Sequence, residues 1–499
     1  MAGMAGAFGL ALAACGDTTI KKALSVEPAS EDLGAIEHVV FLMHENRSFD
    51  HYYGTLRGVR GFDDKTAIPG VFAQKWPQSK GSDHDPALLP FRLDTATSEA
   101  ECTYDLSHAW NAQHQCWNHG AMDSFVTTHT LPEFEGPQNG VLTMGYYTRA
   151  DLPFWYALAD NFTICDNYHC SVFGPTHPNR LHAWSGTLDP DGNAGGPIIV
   201  TNDQPQFIGS VSWTTYPEQL QAKGIPWKVY NAPGSAYQPS SSISIAISDN
   251  ILLYFKQHTS DPSSPLYKNA FGPIFPTDFR KDVTNGTLPA VSWVTPPVGY
   301  DEHPPAPPAA GMWFANQVID ILTSNKDVWS KTVLFITYDE NDGFFDHVAP
   351  PTAPAGTPGE YLTVDPLPSS AYSVAGPIGL GYRVPMLVVS PFSRGGFVCS
   401  DVLDHTSHLR FLEKRFDVKA ENISAWRRKT VGDLTGALDV SRSDKSVPTL
   451  PSTDARSRVV TAECSPVQLV EVDVADPAPY PVPDPQTMPT QEPGKAQRI

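Results

Sequence analysis

A chain of 499 residues is long enough for one large α/β domain with additions, or for two or three ordinary domains. Its formal charge of −20, with no basic patch to neutralise phosphates, excludes a nucleic-acid-binding surface and suits work outside the cytoplasm. Forty-seven prolines and 37 glycines predict long, ordered loops between compact elements.

The first element is a leader. MAGMAGAFGLALAACG is small and apolar up to Cys15, too short to cross a bilayer as a helix, and reads as the apolar part of an export signal. Leu12-Ala13-Ala14-Cys15 resembles the lipobox of bacterial lipoproteins, which implies a lipid anchor at Cys15. No Lys or Arg precedes the apolar run, so either the true start lies upstream or this is a plain small-residue leader. Export is expected, to the cell envelope or as a secreted protein, with residues 1–30 as leader and linker.

A strand is predicted over Ile36 to Met43, an unbroken apolar run that suits a central strand of a parallel sheet covered on both faces. It ends abruptly in Glu45 and Asn46, which would lie in the crevice beyond the strand's carboxyl end, where open α/β sheets bind ligands. Further on, Gly174 and Pro175 make a tight turn and Pro178 sits in a first helical turn, which places the Thr176 hydroxyl at a helix N-terminus. Free N–H groups and the dipole there favour anions. A Ser-rich stretch around Ser240 to Ile247 reads as a surface excursion. A helix follows over Gly311 to Thr323, then strands over Val333 to Tyr338 and Val384 to Ser390. Beyond about Asp433 the pattern weakens, and from Asp473 the Pro-rich tail is expected to be extended and poorly packed. The division is therefore a principal domain over 35–434 and an extension over 435–499. Apart from Cys15 there are six cysteines, an even number that permits disulfides but leaves their connectivity open.

The strand ending at Tyr338 repeats the grammar of the first, delivering Asp339 and Glu340 to the sheet edge. Glu45, Asn46, Asp339 and Glu340 together offer three carboxylates and an amide, a hard oxygen cage for one divalent cation: Ca, Mg, Mn or Zn. Without a cation the carboxylates would repel one another. Asp342, Asp346 and His347 follow closely as partners that orient the ligands. A cation-bound Thr176 hydroxyl would be more acidic, and so a suitable nucleophile for phosphorus.

These stretches resemble the bacterial phospholipase C and acid phosphatase family of phosphoesterases, related in fold to alkaline phosphatases. The likeness runs from Ile36 to Leu434 and is carried by HENRSFDHYYG, SHAWNAQHQCWNHGAMDSF, FGPTHPNR, GTLPAVSWVTP, DEHPP, TYDENDGFFDHV, RVPMLVVSPFSRGG and DHTSHLRFLEKRF. It implies an alkaline-phosphatase-like α/β fold with a central, mostly parallel sheet flanked by helices. It implies Thr176 as nucleophile and ligation of the metal by Glu45, Asn46, Asp339, Glu340 and Thr176. Catalytic histidines are implied at His303 and His108, either of which could protonate the leaving alcohol. Substrate-binding candidates are Arg180, His405 and His347, with Arg180 either pairing with phosphate or bracing its helix against an acidic neighbour.

The activity implied is hydrolysis of phosphatidylcholine-type phospholipids, at a membrane surface, to diacylglycerol and a phosphorylated head group through a phospho-threonine. Trp110, Trp117, Trp155 and Trp184 are candidates for an aromatic wall around choline. Two other readings stand beside it: a broad metal-dependent acid phosphatase, and a non-catalytic envelope protein that binds anionic or choline-bearing surfaces. Retention of the nucleophile and of all four ligands argues against the last.

Overall fold

Apolar runs bury themselves on both faces of a seven-stranded sheet, as continuous hydrophobic strands must. The computed structural model describes residues 33–76, 87–96, 100–134, 137–202, 206–233, 249–454, 464, 480 and 482–498. The leader with Cys15 and the Ser-rich stretch lie outside the described residues. Strands β1 (His38–His44), β2 (Thr163–Cys165), β3 (Trp227–Asn231), β4 (Val291–Thr295), β5 (Thr332–Tyr338), β6 (Met386–Val389) and β7 (Val398–Cys399) lie in the order β7-β2-β6-β5-β1-β4-β3. Within the sheet only β6 runs antiparallel to its neighbours. The mostly parallel, helix-flanked sheet expected from the sequence is thus the fold. Four helices matter below: α1 (Trp110–Trp117), α2 (Thr176–Ser185), α3 (Pro308–Ser324) and α4 (Thr406–Phe416). Among the described residues no helix is long and apolar enough to cross a membrane.

An aromatic ladder fixes α2 on the sheet. Phe41 of β1 stacks on Trp293 of β4 and Phe335 of β5, with centroids 5.7 and 5.5 Å apart, each pair being partners in register. Trp184 of α2 stacks on Trp293 at 4.7 Å. The helix stops at Gly186, whose φ of 82° needs glycine; a Cβ there would stand 2.8 Å from Ile423.

One disulfide, Cys102–Cys464, ties the C-terminal extension to the loop that leads into α1. Cys116, Cys165, Cys170 and Cys399 are buried free thiols. The end of the Pro-rich tail is extended as expected and none of residues 482–498 is buried, yet hydrogen bonds tie it to the body. Gln491 donates to the Leu56 carbonyl at 2.6 Å, Glu492 pairs with Arg149 at 2.7 Å, and Gln497 bridges to Phe397. Polar side chains spaced between the prolines satisfy loop backbone, a role that composition does not reveal.

Candidate active site

Strands β1 and β5 are parallel neighbours with His44 opposite Tyr338, so the next residues, Glu45 and Asp339, leave the sheet side by side at its carboxyl edge. Asn46 and Asp342 then take left-handed backbone with φ of 63° and 61°, a conformation costly for side-chain-bearing residues and concentrated at functional sites. These turns fold both strand ends inward. The Asn46 backbone donates to Asp339 Oδ1 at 3.3 Å, and its Nδ2 donates to Asp342 Oδ1 at 3.3 Å.

The turn before α2 is held by Asn179. Its amide donates to the carbonyls of Gly174 and Pro175 at 2.8 and 3.1 Å, while its Oδ1 accepts from Val172 N at 2.9 Å. Pro175 occupies the N-cap without a side-chain cap, and Thr176 is the first helical residue. The helix start is therefore set by the turn and not by the Thr176 hydroxyl. That hydroxyl is buried and has no hydrogen-bond partner.

The donor atoms fit a hard cation. Thr176 Oγ1, Asn46 Oδ1 and Glu340 Oε1 are all buried oxygens without a hydrogen-bond partner, an arrangement that proteins otherwise avoid. Burial, and after it the charge of Asp339, raises both the Glu45 and the Glu340 carboxyl above the usual range. Positive charge delivered here would relieve both. The Glu45 carboxylate also closes on Asp249 and Asp301, with ligand atoms within 4.8 Å of one another. Nothing in the pattern around Asp249 announced this.

His108, His303 and Asp105 form a second cluster, at the mouth of the site. The two imidazoles meet edge-on with centroids 6.1 Å apart. His108 Nδ1 lies 3.1 Å from Asp342 Oδ1 and 3.4 Å from Asn46 Nδ2, linking the cluster to the strand ends. The loop that carries His303 is stapled by Arg47, which donates to the carbonyls of Glu302 at 2.7 Å and Ala306 at 3.1 Å. Burial by itself would lower the His303 pKa, but the charges of Asp105, Asp301 and Asp342 outweigh it and raise the group to about 9. Burial leaves His108 lowered. Of the pair, His303 is the one that keeps a proton to give at neutral pH. The expected result is a kcat that falls as pH rises through about 9, where the acid is lost, and a His303→Gln profile that lacks this limb. A pH–rate series on both proteins checks it.

The three expected substrate-binding residues sit away from open space. Arg180, 2% exposed, lies one turn after Thr176 and donates to Asp339 Oδ2 at 3.1 Å and Glu45 Oε1 at 3.2 Å, with Asp249 at 3.6 Å. Its geometry is that of a brace between strand ends. His405 has both nitrogens engaged, by Tyr168 at 2.8 Å and by the Asp339 carbonyl at 2.6 Å. His347 belongs to a separate buried network: its Nδ1 pairs with Asp50 at 2.6 Å, and Arg383 bridges Asp50 and Asp346 at 2.9 and 2.8 Å.

A cleft of about 240 Å³ opens beside Pro175 and His108, lined further by Asp105, Trp110, Phe134 and Tyr372. Of the four candidate tryptophans only Trp110 borders it, and from a wholly buried position. Trp155 is buried against His44 and Tyr338, and Trp184 belongs to the aromatic ladder. Trp117 lines a different groove.

A model described as the phosphoesterase family matches residues 36–419. Phospholipase C B of Mycobacterium tuberculosis is 43% identical over 489 residues, spanning 95% of this chain and 91% of that one. The non-hemolytic phospholipase C of Burkholderia pseudomallei is 44% identical over 485 residues, 91% of this chain and 66% of that one. Among solved structures, a protein in the alkaline phosphatase superfamily from Vibrio parahaemolyticus aligns with 85% of this chain and 78% of that one, at 10% identity and a TM-score of 0.34.

Proposed function

Because this chain belongs to the phosphoesterase family and is a phosphoric ester hydrolase of the phospholipase C type, we propose that its preferred substrates are phosphatidylcholine-type lipids, cleaved through Thr176. The observation that carries this reading is the buried, unpartnered Thr176 hydroxyl, first residue of α2, which Arg180 one turn later joins to the ends of β1 and β5. Thr176 gives up its hydroxyl proton to water, and Oγ1 forms a bond to phosphorus while the bond from phosphorus to the glycerol oxygen breaks. His303 gives its proton to that oxygen, and diacylglycerol leaves. Water then attacks the phospho-threonine and frees the phosphorylated head group. In the first turn of α2 the His177 N–H already donates to Asn202 Oδ1 at 2.9 Å and Pro178 has none, so the helix steadies charge on the phosphoryl oxygens chiefly through the positive end of its dipole. A divalent cation held by Glu45, Asn46, Asp339 and Glu340 would supply positive charge that favours loss of the Thr176 proton and offsets charge on phosphorus-bound oxygens.

The cleft lining favours a choline ester over a simple phosphomonoester. Asp105 and Glu133 carry negative charge, Phe134 and Tyr372 present aromatic surface, and no Lys or Arg is among the lining residues. Such a wall attracts a quaternary ammonium and repels a dianion. The expected result is a kcat/KM for phosphatidylcholine at least about tenfold above that for p-nitrophenyl phosphate, each at its best pH. A clear preference for the monoester would move the enzyme to the acid phosphatase reading.

A further inference from the structure

Beside the cleft lies a larger groove of about 860 Å³. It is lined by His114, Trp117, Leu131, Tyr361, Val374 and Pro377 among others, and no Asp, Glu, Lys or Arg borders it. In a chain of net charge −20 an uncharged hollow of this size selects against ions and for apolar matter. Two imidazoles line it, His114 and His119; the buried one is spent, since His114 bonds the carbonyls of Trp110 at 2.7 Å and Pro377 at 3.0 Å, and burial lowers its pKa to about 4. The surface it presents is mainly apolar, with amide and hydroxyl side chains such as Asn118 and Thr128 among its lining.

The groove and the cleft share their walls. Helix α1 lends Trp110 to the cleft and Trp117 to the groove; the turn at 131–134, which follows a further short helix (Phe125–His129), lends Phe134 to the cleft and Leu131 to the groove. The segment from 370 to 377 lends Tyr372 to the cleft and Val374 to the groove. Trp110 Nε1 donates to the Val374 carbonyl at 3.0 Å, which joins helix α1 to the segment that lines both hollows. Six large hydrophobic residues are exposed among those described, and two of them, Leu131 at 38% and Tyr372 at 64%, stand on this ridge. Apolar side chains on the rim of an uncharged groove mark a site of contact with apolar matter.

From this continuity we infer that the groove is an acyl-chain subsite: it takes the fatty chains of a phospholipid whose head group fills the cleft, with Leu131 and Tyr372 meeting the lipid surface. The inference rests on the phospholipase reading, since the acyl chains are what that reaction releases with glycerol. It makes the leaving group, and not the head group alone, a source of binding. Methylenes drawn from water into the groove should then raise kcat/KM by about fourfold each until it is filled.

The experiment uses the full chain and monomeric short-chain phosphatidylcholines, from dibutanoyl to diheptanoyl, below their micelle concentrations. Beside them runs p-nitrophenyl phosphorylcholine, which has no acyl chain. Ala375→Trp and Ala355→Trp each place an indole in the groove from an exposed position. The expected result is a steep rise of kcat/KM with chain length in the wild type and a flat dependence in both variants, with turnover of the p-nitrophenyl ester unchanged. An unaltered chain-length slope in both variants, beside normal turnover of the p-nitrophenyl ester, overturns the subsite and leaves the phospholipase reading intact. Wild-type turnover of neither kind of choline ester overturns that reading and the subsite with it.

Discussion

Replacing Thr176 by valine is expected to lower kcat by on the order of 10⁴- to 10⁶-fold, the loss seen when a covalent nucleophile is removed. The same change should leave the melting temperature unchanged or slightly raised. The sign follows from the site. Thr176 Oγ1 is buried without a hydrogen-bond partner, so its removal breaks no bond and spares the cost of a desolvated hydroxyl. Valine keeps the β-branched shape, and the turn before the helix is held by Asn179, not by the threonine side chain. A structural cap would behave in the opposite way, with the helix weakened by about 1 kcal/mol and turnover nearly intact. Thermal unfolding and single-turnover kinetics on the one variant separate these outcomes, and near-normal turnover would end the covalent mechanism.

The sheet edge that gathers the candidate site residues was legible because two strands carry their own punctuation. Apolar runs that stop dead at Glu45-Asn46 and Asp339-Glu340 mark strand ends whose polar residues must be placed somewhere useful. The register of β1 on β5 puts them side by side. The short strands β2 and β7, of three and two residues, could not be read, because so few residues carry no period. Strands β3 and β4 escaped for another reason: Trp, Lys, Tyr and Asn in one, and Ser and Trp in the other, interrupt the apolar run, and tertiary burial sets their state.

Within the site, ligand-type residues were readable and the residues that hold them were not. Arg47 sits in the first motif, yet its work is to pin the loop of His303, some 250 residues away in sequence, through backbone carbonyls. Backbone acceptors leave no mark in the sequence. Arg180 was ambiguous for the same cause: its carboxylate partners come from three separate segments. The tryptophans show the converse error. Their number near motifs suggested a choline wall, but large aromatics pay most by burial, and the core took Trp155 and Trp184.

On the proposed cation site, Asp339→Asn and Glu45→Gln should both abolish binding of a divalent ion and lower turnover by at least about 10²- to 10³-fold, yet they should differ in the cation-free protein. Asp339 faces the Arg180 guanidinium at 3.1 Å with both side chains almost wholly buried. Taking one charge from such a pair costs about 3–5 kcal/mol, so chelated Asp339→Asn should melt well below chelated wild type. Glu45 is different, because burial and the charge of Asp339 raise its pKa despite Arg180. Its carboxyl already tends to hold a proton without a cation, and glutamine imitates that neutral form at little cost. The linkage sign agrees. A carboxyl whose folded pKa lies above its unfolded value makes stability fall as pH rises past the ordinary carboxylate range, since the folded state then holds more protons. Glu45, Glu340 and Asp342 are all raised, chiefly by burial. Chelated wild type should therefore lose stability from pH 5 to 8, and the gain in melting temperature on adding divalent ion should grow over the same interval, because a cation binds the ionised carboxylates that protons otherwise occupy. Elemental analysis with melting curves at several pH values tests this. A stoichiometric ion and near-normal turnover in Asp339→Asn would remove that carboxylate from the metal site.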